Sequence, residues 1–87
     1  MEQEKPGYHI SQIKRGILGE ISKIQEELDE LKDAEEQGCR IMALVELSDL
    51  YGAIKLYLEV HHPGISMDDL ARMSEITKRA FESGRRS

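Results

Sequence analysis

Apolar residues recur along this chain at helical and not strand spacing. Ile17, Ile21, Ile24, Leu28 and Leu31 follow a four-three-four-three pattern, which lines one face of a helix and predicts a helix over about residues 11–37. Gly16 and Gly19 weaken its start by roughly 1 kcal/mol each relative to alanine, so a break, a kink or a close approach by another backbone is expected there. Gly38 is placed to cap the helix, and Gly38-Cys39-Arg40 is long enough for a tight helix–helix turn. A second helix is predicted over about 41–60. It ends before His62-Pro63-Gly64, because the residue before a proline disfavours helix. Ser66 with Asp69 three residues on resembles a capping box. It opens a third helix over about 67–83, with Leu70, Met73, Thr77, Ala80 and Phe81 on its apolar side and Gly84 as its stop. Residues 1–10 are polar, contain Pro6-Gly7, and read as a flexible arm before a single helical domain over 11–87.

The second helix is apolar almost all round. At about 100° per residue its one clearly polar sector holds Ser48, Lys55 and Glu59. Ile41, Met42, Leu44, Val45, Leu47, Leu50, Tyr51, Ile54, Leu56, Tyr57 and Leu58 occupy the other directions. Such a helix has to be buried on nearly every side, and two companions from one short chain cannot cover it. The expected fold is therefore all-α: a three-helix chain, with a central antiparallel hairpin and a C-terminal helix, assembling with copies of itself into an oligomeric bundle.

Composition narrows the function classes. The chain has 87 residues, 33% of them charged, with one cysteine (Cys39) and no tryptophan. Disulfides are therefore no staple, and a sheet protein would lean more on aromatic residues. No apolar run reaches the ~18 residues of a membrane span, and the polar start does not resemble a signal peptide, so a cytoplasmic location and no membrane partner are expected. The net charge of −5 argues against nucleic-acid binding. The charge is unevenly distributed: residues 20–36 carry eight acidic side chains against Lys23 and Lys32, whereas Lys78, Arg79, Arg85 and Arg86 lie near the C-terminus. An acidic run is ordinarily a solvated helix face, so position has to decide whether this one is more.

Position does single out four carboxylates. Glu46 and Asp49 lie away from the polar sector of the second helix, beside Met42, Ala53 and Leu56, where an ionised group needs a partner or a cation. Glu27 and Glu30 show the same spacing of three on the first helix, flanking its apolar stripe. Glu30 lies eight residues before Gly38 and Glu46 eight after it; Glu27 lies eleven before and Asp49 eleven after. In a folded hairpin the pairs fall at matching heights, roughly 12 Å and roughly 16 Å from the turn. Four converging carboxylates repel one another unless neutralised, and Mg²⁺ or Mn²⁺ is the hard, oxygen-preferring ion that does this. The ordinary alternative is pairing of Glu46 and Asp49 with Arg or Lys, Lys23 among them.

Glu26-Glu27-Leu28-Asp29-Glu30 and, after fifteen intervening residues, Glu46-Leu47-Ser48-Asp49 resemble the EExxE…ExxD signature of the MazG-like, all-α NTP pyrophosphatases. Lys23-Ile24 before the first motif and the apolar helix after Asp49-Leu50 fit the same pattern. The resemblance spans roughly residues 17–60; the third helix fits by position alone. It implies hydrolysis of a nucleoside triphosphate to monophosphate and pyrophosphate by Mg²⁺-dependent homodimers or homotetramers, as nucleotide-pool housekeeping. Glu27, Glu30, Glu46 and Asp49 would be metal ligands, and Glu26 and Glu27 the catalytic carboxylates, Glu26 as accessory ligand or water-orienting group. For the phosphates, Lys23, Lys14, Lys78 and Arg79 are the candidate cations, with Lys23 favoured because it lies one turn before Glu27. The chain is shorter than many relatives, so part of a nucleotide pocket would have to come from the arm, the third helix or a second subunit.

The remaining features point elsewhere or nowhere. Glu59-x-x-His62 has di-iron ligand spacing, but such a centre takes two of these pairs plus two more glutamates. His61 and His62 read as loop residues, Cys39 lacks the neighbours of a nucleophile, and Tyr51 and Tyr57 read as core or interface. A non-catalytic helical interaction module with the same fold is the rival to the enzyme.

Overall fold

The computed structural model describes the backbone of residues 12–82 and the side chains of residues 12–78. The arm expected over residues 1–10, the side chains of Arg79, Ala80 and Phe81, and the stop at Gly84 lie outside the described residues. Three helices make up the described chain: α1 (Ile21–Glu36), α2 (Arg40–His61) and α3 (Met67–Glu82).

The turn between α1 and α2 is set by local chemistry. Gly38 adopts φ +73°, a left-handed conformation that glycine enters without penalty. The Gly38 N–H then donates to the Glu35 carbonyl at 2.9 Å and the Cys39 N–H to the Ala34 carbonyl at 3.2 Å. These are the two bonds of a Schellman motif, and they satisfy the last carbonyls of α1. α3 opens on the capping box expected from the sequence. The Asp69 N–H donates to Ser66 Oγ at 3.2 Å, and the Ser66 N–H donates to Asp69 Oδ2 at 2.9 Å.

The first helix departs from the periodicity. It begins at Ile21 and not near residue 11, although Ile17 continues the apolar spacing. Residues 12–17 instead run without helical bonding and lie back against the first turns of α1. The Gly16 N–H donates to Glu26 Oε1 at 2.9 Å, and the Ile17 N–H to Ser22 Oγ at 3.0 Å. A Cβ on Gly16 would collide with the Ser22 carbonyl. The glycines thus mark both a break and a close backbone approach. His61, expected in a loop, is the last residue of α2. Its Nε2 lies 3.0 Å from the Gly19 carbonyl and 3.4 Å from Glu20 Oε1, fastening the far end of α2 to the entry of α1.

α1 and α2 pack closely on each other, whereas α3 makes at most marginal contact with the hairpin among the described residues. Among the described residues α3 is thus not packed along the hairpin, although only residues 62–66 separate it from α2. Met73 and Ile76 on its apolar side stay exposed.

The burial pattern of the hairpin is inverted. Its buried apolar residues are small or few: Ala34, Ala53 and Leu58, beside the buried carboxylates of Glu27, Glu30, Asp33 and Glu46. Much of the α1 stripe, Ile17, Ile21 and Leu28, is exposed. On α2 the outward face carries Ile41 (76% exposed), Leu44 (66%), Val45, Leu47 and Tyr51. These residues form an apolar face that the single chain leaves open to solvent.

Candidate metal centre

Each helix supplies two carboxylates to one volume. Glu27 and Glu30 project from consecutive turns of α1, and Glu46 and Asp49 from α2 at the matching distance beyond the turn. One carboxylate oxygen from each lies within 4.8 Å of the others. Glu46 is fully buried, at 0% exposure, and Glu27 is 6% exposed; Glu30 is buried as well. Asp49 is exposed, which gives the cluster a closed floor and an open side. The α1 pair was expected at the edge of the apolar stripe. It lies instead on the face that meets α2, and the stripe is turned partly outward.

Several of these groups have protein partners, yet not every oxygen does. Lys23 Nζ lies 3.1 Å from Glu26 Oε1 and 3.2 Å from Glu27 Oε2. Glu27 Oε1 is buried with no hydrogen-bond partner among the described residues. A buried carboxylate oxygen in that condition loses its hydration without recompense. A cation held by the four oxygens would restore it. The donor set is all oxygen and formally anionic, the type that suits Mg²⁺, Mn²⁺ or Ca²⁺ and disfavours soft metals.

Glu26 has a different place from the other four. It is half-buried, outside the quartet, and its Oε1 accepts from both the Gly16 N–H and Lys23. Burial alone would raise its pKa. The Gly16 N–H, the Lys23 ammonium and a hydrogen bond with Glu30 outweigh burial and hold the carboxyl below the ordinary range. Burial likewise opposes the charge on Lys23, but its bonds to Glu26 and Glu27 and their negative charges prevail and raise its pKa. Lys23 thus pairs with the α1 carboxylates and not, as considered from the sequence, with Glu46 or Asp49.

The other phosphate candidates are not gathered at the site in this way. Lys14 and Lys78 are exposed, Lys78 on the loosely attached α3, and the Arg79 side chain lies outside the described residues. Asp33, outside the motifs singled out above, is 2% exposed and accepts from Gln37 Nε2 at 3.0 Å. Its spacing of three from Glu30 continues the Glu27–Glu30 row, and that was the available signal. Lys55 and Glu59 form an exposed pair at 3.4 Å, in keeping with Glu59 being a surface residue.

No helix among the described residues is long and apolar enough to cross a membrane. Compared with known proteins, the chain matches no family model, no curated protein and no solved structure.

Proposed function

We propose that this chain is a divalent-metal-dependent nucleotide pyrophosphohydrolase, converting an NTP or dNTP and water to the monophosphate and pyrophosphate in the upkeep of nucleotide pools. The observation that carries the reading is the quartet itself: four carboxylates from two helices with oxygens within 4.8 Å, three of them buried. The EExxE…ExxD pattern that resembles the MazG-like pyrophosphatases supplies the reaction class. The orphaned Glu27 Oε1 supports a cation as the missing partner, with Mg²⁺ first and Mn²⁺ second.

Glu27, Glu30, Glu46 and Asp49 would hold the ion, which when bound neutralises phosphate charge and acidifies a coordinated water. Glu46 forms the buried floor, and Asp49 stands at the open side where a triphosphate enters. Glu27 serves as the base candidate, and Glu26 keeps Lys23 in reach of the phosphates while orienting water. The rest of the nucleotide pocket comes from a second copy of the chain. The exposed α2 face of Ile41, Leu44, Val45, Leu47 and Tyr51 supports a homodimer or homotetramer.

The test is a pyrophosphate-release screen over a full nucleotide panel with Mg²⁺. Release from at least one triphosphate, abolished by Glu46→Gln, is expected. A folded chain that binds Mg²⁺ and releases nothing across the panel sinks the enzyme. That result would favour the second reading, a non-catalytic helical interaction module, which the exposed apolar face of α2 also supports.

A further inference from the structure

We propose that Lys23 is the built-in counter-ion of the carboxylate centre, which an entering divalent cation displaces from Glu27 and so makes available to a polyphosphate. The inference rests on the metal reading above and deepens it, since it couples the two ligands of one site.

Glu27 is where the two cations would meet. Its Oε2 lies 3.2 Å from Lys23 Nζ, while its Oε1 is buried with no hydrogen-bond partner among the described residues. The carboxylate is therefore paired on one side and unsatisfied on the other, and the residue is more than nine-tenths buried. A dication held by the quartet draws on the same negative charge as the ammonium. Two cations drawing on one buried carboxylate would repel each other.

Lys23 does not leave the site when it gives up Glu27. Its second partner, Glu26, lies outside the quartet, 3.1 Å away. Glu26 Oε1 is itself fixed by the Gly16 N–H at 2.9 Å. All three residues lie within two turns of α1, so the exchange needs a rotamer change and no movement of α2. The ammonium then pivots on Glu26 with donors free for phosphate oxygens. In the metal-free state Glu26 and Glu27 engage two of the three ammonium donors, and the negative charge gathered in the quartet repels a polyanion. Metal and polyphosphate thus bind with positive coupling.

Calorimetric titration of the full chain with Mn²⁺, and of the Mn²⁺-loaded chain with pyrophosphate, tests this. Lys23→Met removes the competing cation, and Mn²⁺ is expected to bind about tenfold tighter, the scale of an ordinary coupling between ligands. Pyrophosphate binding to the loaded Lys23→Met variant is expected to weaken by a similar factor. Lys23→Arg keeps the charge and stays close to the original chain in both titrations. Lys23→Gln repeats the measurement should the methionine variant fail to fold, as judged by circular dichroism. Tight Mn²⁺ binding that Lys23→Met and Lys23→Gln leave unchanged or weaken overturns this inference alone. No Mn²⁺ binding to any of the chains overturns the metal reading and this inference with it.

Discussion

Gly16 donates its backbone N–H to Glu26 Oε1 at 2.9 Å, across ten residues of sequence. The bond ties the segment before α1 to the first residue of the acidic motif, and only a residue without a Cβ permits it, because the Ser22 carbonyl occupies that space. The anchor of Lys23 and the path of the chain into α1 are therefore one structural unit.

Gly16→Ala is expected to push the 12–20 segment off α1 and to lower stability by about 2 kcal/mol, the scale of forced overpacking. Thermal unfolding by circular dichroism measures it. A melting curve indistinguishable from the original chain would contradict the close approach.

Divalent cation should stabilise the fold in proportion to its binding. At about a hundredfold excess over Kd the gain is roughly 2.7 kcal/mol, which in a domain of this size raises Tm by on the order of 10 °C. Glu46→Gln, at the fully buried position, is expected to erase that rise. Chelation with EDTA should return the original chain to its metal-free Tm.

Asp49 differs from Glu46 in being exposed. Asp49→Asn should leave the metal-free Tm within about 4 °C, the range of an ordinary surface substitution in a domain of this size, while abolishing turnover. A large loss of metal-free stability would mean that Asp49 carries a structural load that its exposure does not suggest.

The outward face of α2 yields a test of assembly. Leu44→Glu places a charge among Ile41, Val45, Leu47 and Tyr51, and should convert a dimer or tetramer to monomer in light scattering while preserving helicity. A monomeric original chain would exclude the proposed assembly.

Acid should loosen α3 first at its start. The Ser66 N–H holds the Asp69 carboxyl below its ordinary pKa of 3.8. A depressed folded-state pKa contributes stability above the unfolded value, and that contribution fades as pH falls through the folded one. Amide exchange at residues 66–70 should therefore accelerate as pH falls below the ordinary 3.8, relative to the intrinsic rate. Asp69→Asn should flatten that dependence.

Much of this architecture is legible in the residues themselves. Gly38 and the Ser66–Asp69 pair act through bonds to near neighbours, so spacing alone locates both caps. The quartet follows from equal counts on either side of Gly38. What spacing cannot tell is which face of a helix meets which partner. The Ile17–Leu31 row reads as the core side of α1, yet Glu27 and Glu30 meet α2, because periodicity groups residues without assigning them a neighbour. The premature start of α1 was signalled by Gly16 and Gly19 but not fixed by them. It depends on Glu26 and Ser22 capturing backbone groups that a longer helix would have used. The separation of α3 had no local signal, since its capping box and apolar side would read the same in a packed helix.

The Schellman turn at Gly38 works as a gauge for the whole centre. It ends α1 at a fixed phase and starts α2 at Arg40, so the count from Arg40 to Glu46 decides which way Glu46 faces. One residue added between Arg40 and Glu46 would rotate Glu46 and Asp49 by about 100° and lift them about 1.5 Å. For an insertion ahead of Val45, Val45 would then take the place of Glu46 and Ser48 that of Asp49. Composition, helix content and the turn would all survive that insertion, and the centre would not. The length of this one segment is thus under tighter constraint than the identity of most residues within it.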